Sequence, residues 1–334
     1  MSKNITIKDV AKEAGVSIAT ISYYLNNKKK LKEETKEKIL NVINKLGYNT
    51  NLAAKALVTS KSKLIGFVLA TGSLEDNPYY STLLAGMNSA IKELSEYDLL
   101  IAGTFGEKDF RRAVINWIKK RSLDAVVFMG LNDRETIEEL SKLDIPISLI
   151  DQSTFSLNNL YTIKIDDEMG GYIGTKHLIS KGYKNIVFVG EGLIGEVTKL
   201  RYEGYKRALK EANIDVNSLN LYNTAITYEG GIDVGNRLME RKDIDAIFSI
   251  ADVVAYGIMR AYIIAGYYIP KDIAIIGFDN LKSSSYMTPT LTSIDQNIFL
   301  KGKKAVEILL NNINNQDKLK EVLIPISLVK GETT

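Results

Sequence analysis

The chain has 334 residues, enough at roughly 150 residues per domain for two or three domains with a substantial core. It has no cysteine and one histidine, His177, which excludes disulfides, thiol nucleophiles and metal sites built from cysteine or several histidines. No apolar run approaches the roughly 18 residues that span a bilayer, and the first ten residues lack the apolar stretch of a signal peptide. We therefore expect a cytoplasmic protein without membrane contact.

Charge is unevenly distributed along the chain. Residues 1–63 hold 13 lysines and five acidic residues, so the remaining residues hold 30 basic and 35 acidic side chains out of the totals of 43 and 40. A basic head on an acidic body indicates that the head meets a polyanion. Charge alone leaves open a head that is merely soluble.

Three short helices are predicted in the head. Thr6 can cap the first, with Asp9 in capping-box position, and Gly15 permits a tight turn after it. Ser17 can cap the second helix. At about 100° per residue this helix turns one face inward and another outward. The inward face is Ile21, Tyr24 and Leu25, and the outward face is Ala19, Ser22, Tyr23 and Asn26, with Ile18 at its edge.

The third helix is predicted over roughly residues 33–46, with Ile39, Val42 and Ile43 inward and Gly47 at its end. The first two helices and their glycine-containing turn form a helix-turn-helix pattern. The second helix of such a unit can enter the major groove of DNA and present its N-terminal residues to base edges.

Short apolar runs alternate with helical patterns through the body of the chain. LIGFVLA, DLLIAG, DAVVFMG and IPISLID are followed by NIVFVG, DAIFSI and IAIIGFD. This alternation predicts β-α-β units and parallel sheets in two similar halves. A ligand is expected in the cleft between them, at the carboxyl ends of the strands.

The stretch TIKDVAKEAGVSIATISYYLNN resembles the N-terminal signature of the LacI/GalR family of bacterial transcriptional regulators, and the resemblance continues over essentially the whole chain. It implies a small all-α helix-turn-helix head and an α/β two-lobed, periplasmic-binding-protein-like effector domain with parallel sheets. The implied boundaries are residues 1–49 for the head, 50–63 for a hinge helix and linker, and 64–334 for the effector-binding and dimerisation domain. The chain would cross between lobes near residues 163, 294 and 325.

The resemblance implies which head residues contact DNA. Ile18, Ala19 and Tyr23 should face bases, while Ser17, Thr20, Ser22 and Asn26 should contact or position phosphates. Thr6 is also expected at the DNA, as is the basic run that begins at Lys28, for which a solvated loop is the alternative. In the implied hinge, small residues such as Ala54 let two copies approach in a minor groove, and Leu57 can wedge between base pairs. Asn51 and Lys55 complete the expected contacts. A plain linker helix is the alternative for this segment.

Three departures from the family pattern carry consequences. Tyr23 stands where the family usually has arginine, so the expected guanine contact is lost and an operator richer in A·T pairs is predicted. Lys32 stands where a serine often caps the third helix. Ala251 replaces an asparagine in the implied effector site, which favours a smaller or less hydroxylated ligand, or no small molecule at all.

The effector-site residues implied by the resemblance surround the cleft. They are Asn77, Tyr79, Tyr80, Asp151, Arg201, Tyr228, Asp252, Asp279 and Gln296. Aromatic faces can pack on a sugar ring or a nucleobase, while Asp, Arg and Gln satisfy hydroxyls or ring nitrogens. For each one, a role in the core or as a helix cap is the alternative.

An enzyme is not expected, and neither a cofactor nor a metal site is predicted. His177 has no evident partner acid or nucleophile and is interpreted as structural. Gly190, Gly192 and Gly195 match the G-x-G-x-x-G of dinucleotide-binding proteins, with Glu211 and Asp215 near the expected acidic position. We interpret these glycines instead as a turn that lets a ligand approach.

These observations favour a transcriptional regulator that binds palindromic double-stranded DNA as a homodimer, and we expect it to be a repressor. We expect a small metabolite, a carbohydrate, to control its affinity for the operator. The last strand is followed by no heptad tail of the kind that makes tetramers. The alternative is a carbon-catabolite regulator whose corepressor is a phosphorylated carrier protein. A sugar-transport protein would fit the body but not the basic head.

Overall fold

The computed structural model describes residues 5–25, 31–46, 62–70, 77–94, 96–102, 109–131, 133–152, 157–192, 195–216, 220–313 and 319–334. Contacts divide the chain into two compact units, Met1–Ser62 and Lys63–Thr334, which we call the head and the body. The predicted DNA contacts Asn26, Lys28, Asn51, Ala54, Lys55 and Leu57 lie outside the described residues.

The head contains α1 (Ile7–Ala14), α2 (Ile18–Leu25) and α3 (Glu33–Leu46). The predicted start of α1 is confirmed, since the Thr6 N–H donates to Asp9 Oδ2 at 2.8 Å. Gly15 ends α1 with a φ of 61°. The Thr20 N–H donates to Ser17 Oγ at 3.0 Å and caps α2. The side chains that form the buried core of the head are Val10, Ala11, Ala14, Ile21 and Ile39.

The described strands of the body are β1 (Leu64–Leu69), β2 (Asp98–Ala102), β3 (Ala125–Met129), β4 (Ile147–Ile150), β5 (Leu160–Lys164), β6 (Ile186–Gly190), β7 (Leu221–Asn223), β8 (Ala246–Ser249), β9 (Ala274–Asp279), β10 (Thr292–Asp295), β11 (Glu321–Leu323) and β12 (Ser327–Val329). Its described helices are α4 (Pro78–Leu94), α5 (Phe110–Arg121), α6 (Arg134–Leu140), α7 (Asp167–Ser180), α8 (Glu196–Glu211), α9 (Tyr228–Leu238), α10 (Asp252–Ile264) and α11 (Ile298–Ile313), and a 3-10 helix spans Lys282–Tyr286.

These strands form two six-stranded sheets, each the centre of one lobe. The first sheet has the order β11-β5-β4-β3-β1-β2 and the second the order β12-β10-β9-β8-β6-β7. Pairing is parallel except between β10 and β12. Central strands are continuous apolar runs because helices cover both of their faces, and Phe67, Phe128, Phe188 and Phe248 are fully buried. The predicted fold class is confirmed.

The polypeptide crosses between the lobes at three points. The chain leaves the first lobe between β5 and α7, returns between β10 and α11, and leaves again between β11 and β12. Helix α11 packs on α4 of the first lobe, where a Cβ on Gly86 would stand 2.0 Å from the Phe299 carbonyl oxygen. Within the described ranges, no helix is long and apolar enough to cross a membrane.

Candidate ligand-binding cleft and nucleic-acid interface

A cavity of about 220 Å³ lies between the two lobes of the body. Segments that follow β1, β3 and β4 form its first wall, and segments that follow β6, β7, β8, β9 and β10 form its second. Seven of the predicted ligand residues line it, namely Asn77, Tyr79, Tyr80, Asp151, Arg201, Asp279 and Gln296. The carboxyl ends of both parallel sheets therefore converge on one polar site.

On the first-lobe wall, the aromatic pair Tyr79 and Tyr80 begins α4. Their rings meet edge to face with centroids 5.7 Å apart. The Tyr79 hydroxyl donates to Asp151 Oδ2 at 3.1 Å, and burial raises the pKa of this phenol well above its usual value. Asn77 Oδ1 accepts from the Tyr79 N–H at 3.0 Å, so Asn77 orders the start of the helix while lining the cavity.

Beneath Asp151 lies a lysine that sequence reasoning did not select. Lys301 of α11 is fully buried, and its Nζ donates to Asp151 Oδ1 at 2.7 Å and Oδ2 at 3.0 Å. It also donates to Gln296 Oε1 and to the Tyr79 hydroxyl at 3.3 Å. The signal was present in the sequence, because Lys301 shares the apolar helix stripe of Ile298 and Ala305.

Gln296 extends this cluster into the second lobe. Its Oε1 accepts from Lys301 while its Nε2 donates to Asp279 Oδ1, so the two amide ends connect residues of both lobes. Burial raises the pKa of Asp279, against the lowering influence of Arg201 and Gln296. A continuous hydrogen-bonded chain therefore runs from Tyr79 through Asp151, Lys301 and Gln296 to Asp279.

Arg201 is held from below in the second lobe. Its Nε donates to Asp167 Oδ1 at 2.8 Å, its Nη1 donates to the Ile250 carbonyl oxygen at 2.7 Å, and its guanidinium stacks 3.5 Å from the Phe278 ring. Both partners of the ion pair are about 5% exposed. Burial raises the pKa of Asp167, and Arg201 opposes that rise. Asp167 is not among the predicted site residues, so sequence reasoning missed this pairing.

Close packing of two helices fixes the position of Arg201. A Cβ on Gly171 of α7 would stand 2.0 Å from the Arg201 carbonyl oxygen, and one on Gly204 of α8 would stand 1.9 Å from the Glu168 carbonyl oxygen. Only glycine allows such an approach of two helix backbones. The first turn of α7 is thereby set beside Arg201.

Two predicted ligand residues do not line the cavity. Asp252 is fully buried and accepts hydrogen bonds from the Leu281 N–H at 2.8 Å, Ser284 Oγ at 2.7 Å and Ser293 Oγ at 2.6 Å. It ties the start of α10 to the 3-10 helix and to β10 instead of facing the cleft. Tyr228, the first residue of α9, is half-buried and lies outside the lining as well.

The structure adds lining residues that the sequence did not single out. Gln152 follows β4, Glu191 follows β6, and Thr198 lies in the first turn of α8. Their positions after strands were the available signal. Within the residues that the structure describes, no group of His, Asp or Glu side chains could hold a metal ion.

The outward face of α2 carries the predicted base-reading residues. Ile18 is 45% exposed and Tyr23 is 40% exposed, while Ile21 on the opposite side is fully buried. Ala19 is also exposed. Ser17 Oγ accepts from the backbone and lies 2.8 Å from Thr20 Oγ1. The helix thus presents Ile18 to solvent at its first position and Tyr23 in its second half, and a recognition helix meets base edges with its N-terminal residues.

Comparison with known proteins identifies the family. Residues 6–51 match the bacterial regulatory proteins of the lacI family, and residues 175–334 match the periplasmic binding protein-like domain. The chain is 32% identical over 316 residues to catabolite control protein A of Priestia megaterium, an alignment that covers 94% of each protein. The chain belongs to the LacI family.

Other members of the LacI family show the same extent of likeness. The HTH-type transcriptional repressor PurR of Mannheimia succiniciproducens is 30% identical over 320 residues, which covers 95% of each protein. The structure of the lac repressor dimer bound to operator and the anti-inducer ONPF superposes with a TM-score of 0.86, at 25% identity and 99% coverage of both chains. This LacI-family chain is accordingly a DNA-binding transcriptional regulator.

The glycine motif lies in the loop between β6 and α8. Gly190 ends β6, Gly192 has a φ of 74°, and Gly195 precedes α8 at the cleft. Glu211 ends the 16-residue α8, about 22 Å along the helix from its start, and accepts from the Tyr172 hydroxyl at 2.7 Å. A dinucleotide with its phosphates on this loop could not reach Glu211.

His177 is 8% exposed, and its Nε2 lies 2.8 Å from Thr334 Oγ1.

Proposed function

We propose that this regulator is a repressor whose affinity for a palindromic operator is set by a small metabolite, a carbohydrate, bound in the cleft between the lobes. The observation that carries the proposal is the convergence of both sheets on a cavity lined by two tyrosines, a buried arginine and the carboxylates of Asp151 and Asp279. Such a lining can pack on a ring and satisfy hydroxyl groups. The volume of about 220 Å³ lies below the roughly 300–1,000 Å³ of most ligand pockets, which favours a ligand of monosaccharide size.

In this proposal the head reads the operator as one half of a homodimer. Ile18, Ala19 and Tyr23 contact bases, and their apolar or hydroxylated ends suit thymine methyl groups better than guanine. Phosphate contacts come from Thr6, Ser17, Thr20, Ser22, Asn26 and Lys28. The hinge, with Asn51, Ala54, Lys55 and Leu57, folds in the minor groove and kinks the central step.

Control arises because ligand and operator favour different arrangements of the lobes. A ligand that contacts Asp151 on one wall and Asp279 on the other changes the free energy of each lobe arrangement. The resulting coupling between two sites is typically about 1–3 kcal/mol, or roughly 5–150-fold in operator affinity.

A protein corepressor is the second candidate. The 32% identity to catabolite control protein A favours it, and in this case a phosphorylated carrier protein docks on the body while the cleft is secondary. Capture of the carrier only in its phosphorylated form, by the full chain bound to operator, would favour this candidate.

Two measurements test the proposal in sequence. Repeated selection from a random DNA library with the full chain is expected to return an inverted repeat rich in A·T pairs. Thermal unfolding is then measured with sugars, sugar phosphates, nucleobases and nucleosides. A ligand at 100 times its dissociation constant adds about 2.7 kcal/mol, a shift of a few degrees. A selection that returns no repeat, or a ligand that binds without changing operator affinity, would contradict the proposal.

A further inference from the structure

The charges around the cleft are strongly biased toward acids. Among the described lining residues, the acids are Asp151, Glu191, Glu196 and Asp279, whereas Arg201 is the one cation. Arg201 is already paired with Asp167, and the guanidinium also stacks on the Phe278 ring. An incoming phosphate or carboxylate would therefore meet a cation that the protein has already paired, in a cleft lined by four acidic side chains.

Lys301 is the other buried cation near the cleft among the described residues, and its charge is neutralised by Asp151. Its ammonium has three hydrogens, and Asp151, Gln296 and Tyr79 surround it. An ionised carboxylate offers about four acceptor positions. Lys301 and the Tyr79 hydroxyl occupy three of those of Asp151. Asp151 thus reaches the cavity as a neutralised group with room for one further donor, such as a hydroxyl.

The helix N-termini at the cleft do not restore an anion site. An N-terminus attracts anions through its unpaired N–H groups. However, α8 carries Glu196 in its first turn and α10 carries Asp252, while Asn77 Oδ1 occupies the Tyr79 N–H of α4. The first turns of α8 and α10 therefore each carry an acidic side chain that opposes an incoming anion, and the Tyr79 N–H of α4 is already occupied.

We propose that Lys301 is a specificity-determining residue of the cleft: by neutralising Asp151 from beneath, it restricts the site to uncharged, hydroxyl-bearing ligands and turns away both phosphorylated and amine-bearing analogues. This inference rests on the proposed function, whose ligand class it narrows. Lys301 itself lies behind Asp151 and acts through it, so it is a positioning residue.

The proposal predicts opposite changes in selectivity for two substitutions. Lys301→Met keeps most of the length of the side chain and leaves the Asp151 carboxylate without its cation, so an amine-bearing ligand gains a partner. Asp151→Asn keeps the shape of the carboxylate and leaves Lys301 unpaired, so a phosphorylated ligand gains a partner. The double substitution Lys301→Met with Asp151→Asn removes both charges and should restore the preference for uncharged ligands.

The experiment is isothermal calorimetry on the full chain with ligands that share a skeleton but differ in charge. The probes are glucose, glucosamine and glucose 6-phosphate, together with ribose and ribose 5-phosphate. We expect the wild-type chain to bind a neutral sugar at least about tenfold more tightly than its charged analogues. Lys301→Met should shift the ratio of glucosamine to glucose affinity by about tenfold, and Asp151→Asn the ratio of phosphate to sugar affinity by about as much, while the double variant shows neither shift.

The alternative outcomes are distinct. Tighter binding of a phosphorylated probe by the wild-type chain, binding of no neutral sugar, or equal losses for all probes in Lys301→Met would overturn the proposal. Should Lys301→Met fail to fold, the wild-type ratios and Asp151→Asn decide. Operator binding is measured on the same samples, because its loss in the wild type would mean failure of the proposed function, whereas intact operator binding with the wrong charge preference means failure of this inference alone.

Discussion

Two residues near the cleft show how the chain accommodates buried charges. Lys301 and Arg201 are each paired with one aspartate and donate further hydrogen bonds, which is the condition under which buried ions are tolerated. Removing one partner of such a pair typically costs about 3–5 kcal/mol, because the other charge stays buried. A substitution of either cation alone therefore reports on stability as much as on binding.

Asp252 allows a prediction at this scale. Burial raises the pKa of its carboxyl, and the nearby Asp279 raises it further. The folded chain then holds the proton more strongly than the unfolded chain, so this residue costs stability as the pH rises above the ordinary value of 3.8. Asp252→Asn should remove that loss, and the free energy of unfolding of the variant should improve relative to wild type between about pH 5 and pH 8.

Denaturant unfolding at several pH values checks this expectation. The exposed Asp144→Asn serves as the control, for which the difference from wild type should stay constant. A constant difference for Asp252→Asn as well would show that its ionisation is not linked to folding.

At the scale of elements, pairs of helices with glycine at their crossing position the cleft residues. Helices α7 and α8 touch through Gly171 and Gly204, and this contact brings Asp167 to Arg201. Helices α4 and α11 touch through Gly86 and Gly302, and this contact brings Lys301 under Tyr79. The two buried cations thus depend on how closely two helices approach.

Gly171→Ala tests the dependence of Arg201 on helix packing. The added methyl group would overlap the Arg201 carbonyl oxygen, and such overpacking typically costs about 1–3 kcal/mol. We expect a melting temperature lower by several degrees and weaker ligand binding, both measured by thermal unfolding with and without ligand. Lys176→Ala, on the half-exposed side of the same helix, should change neither quantity strongly.

The start of α3 allows a second prediction for an element. Lys32 precedes α3, and its carbonyl oxygen accepts from the Thr35 N–H at 3.0 Å without a side-chain cap being possible. Lys32→Ser supplies a side-chain acceptor and should stabilise the head by about 1 kcal/mol. Hydrogen exchange of the α3 amides in the full chain measures this gain. Lys32→Ala, which adds no acceptor, should show no such slowing of exchange.

The elements of this fold could be predicted because their signals are local. The capping of α1 by Thr6 and Asp9, the glycine turn at Gly15 and the alternation of apolar runs with helices each lie within a short stretch of sequence. The pairing of Lys301 with Asp151 joins residues 150 positions apart, and no local pattern encodes it. Asp252 illustrates the converse, since a motif placed it near the cleft but its bonds to Ser284 and Ser293 turn it into the core.

At the scale of the whole molecule, hydrogen bonds in the cleft connect the two lobes. Gln296 lies in the segment between β10 and α11 and is bonded to a residue of each lobe. A change in the angle between the lobes must alter these bonds. The connecting segments are therefore part of the site and not only its support.

A charge-balanced substitution at Arg201 tests the coupling between cleft and operator. Arg201→Ala alone would strand Asp167, so we pair Arg201→Met with Asp167→Asn. The double variant should bind operator with wild-type affinity yet lose most of its response to a ligand found in the screen. Fluorescence anisotropy with labelled operator measures both quantities, and an undiminished response would remove Arg201 from the ligand site.

The exchange of chain between the lobes has a consequence for synthesis on the ribosome. The first sheet receives β11 at residues 321–323, which is translated after β6 to β10 of the second sheet, a stretch that ends at residue 295. Because the second sheet in turn receives β12 at residues 327–329, each lobe includes a strand that follows most strands of the other, and the first lobe cannot finish folding before the second has been translated. Lys301 lies on α11, so the Asp151 carboxylate gains its buried cation only after the chain has returned from the second lobe to the first.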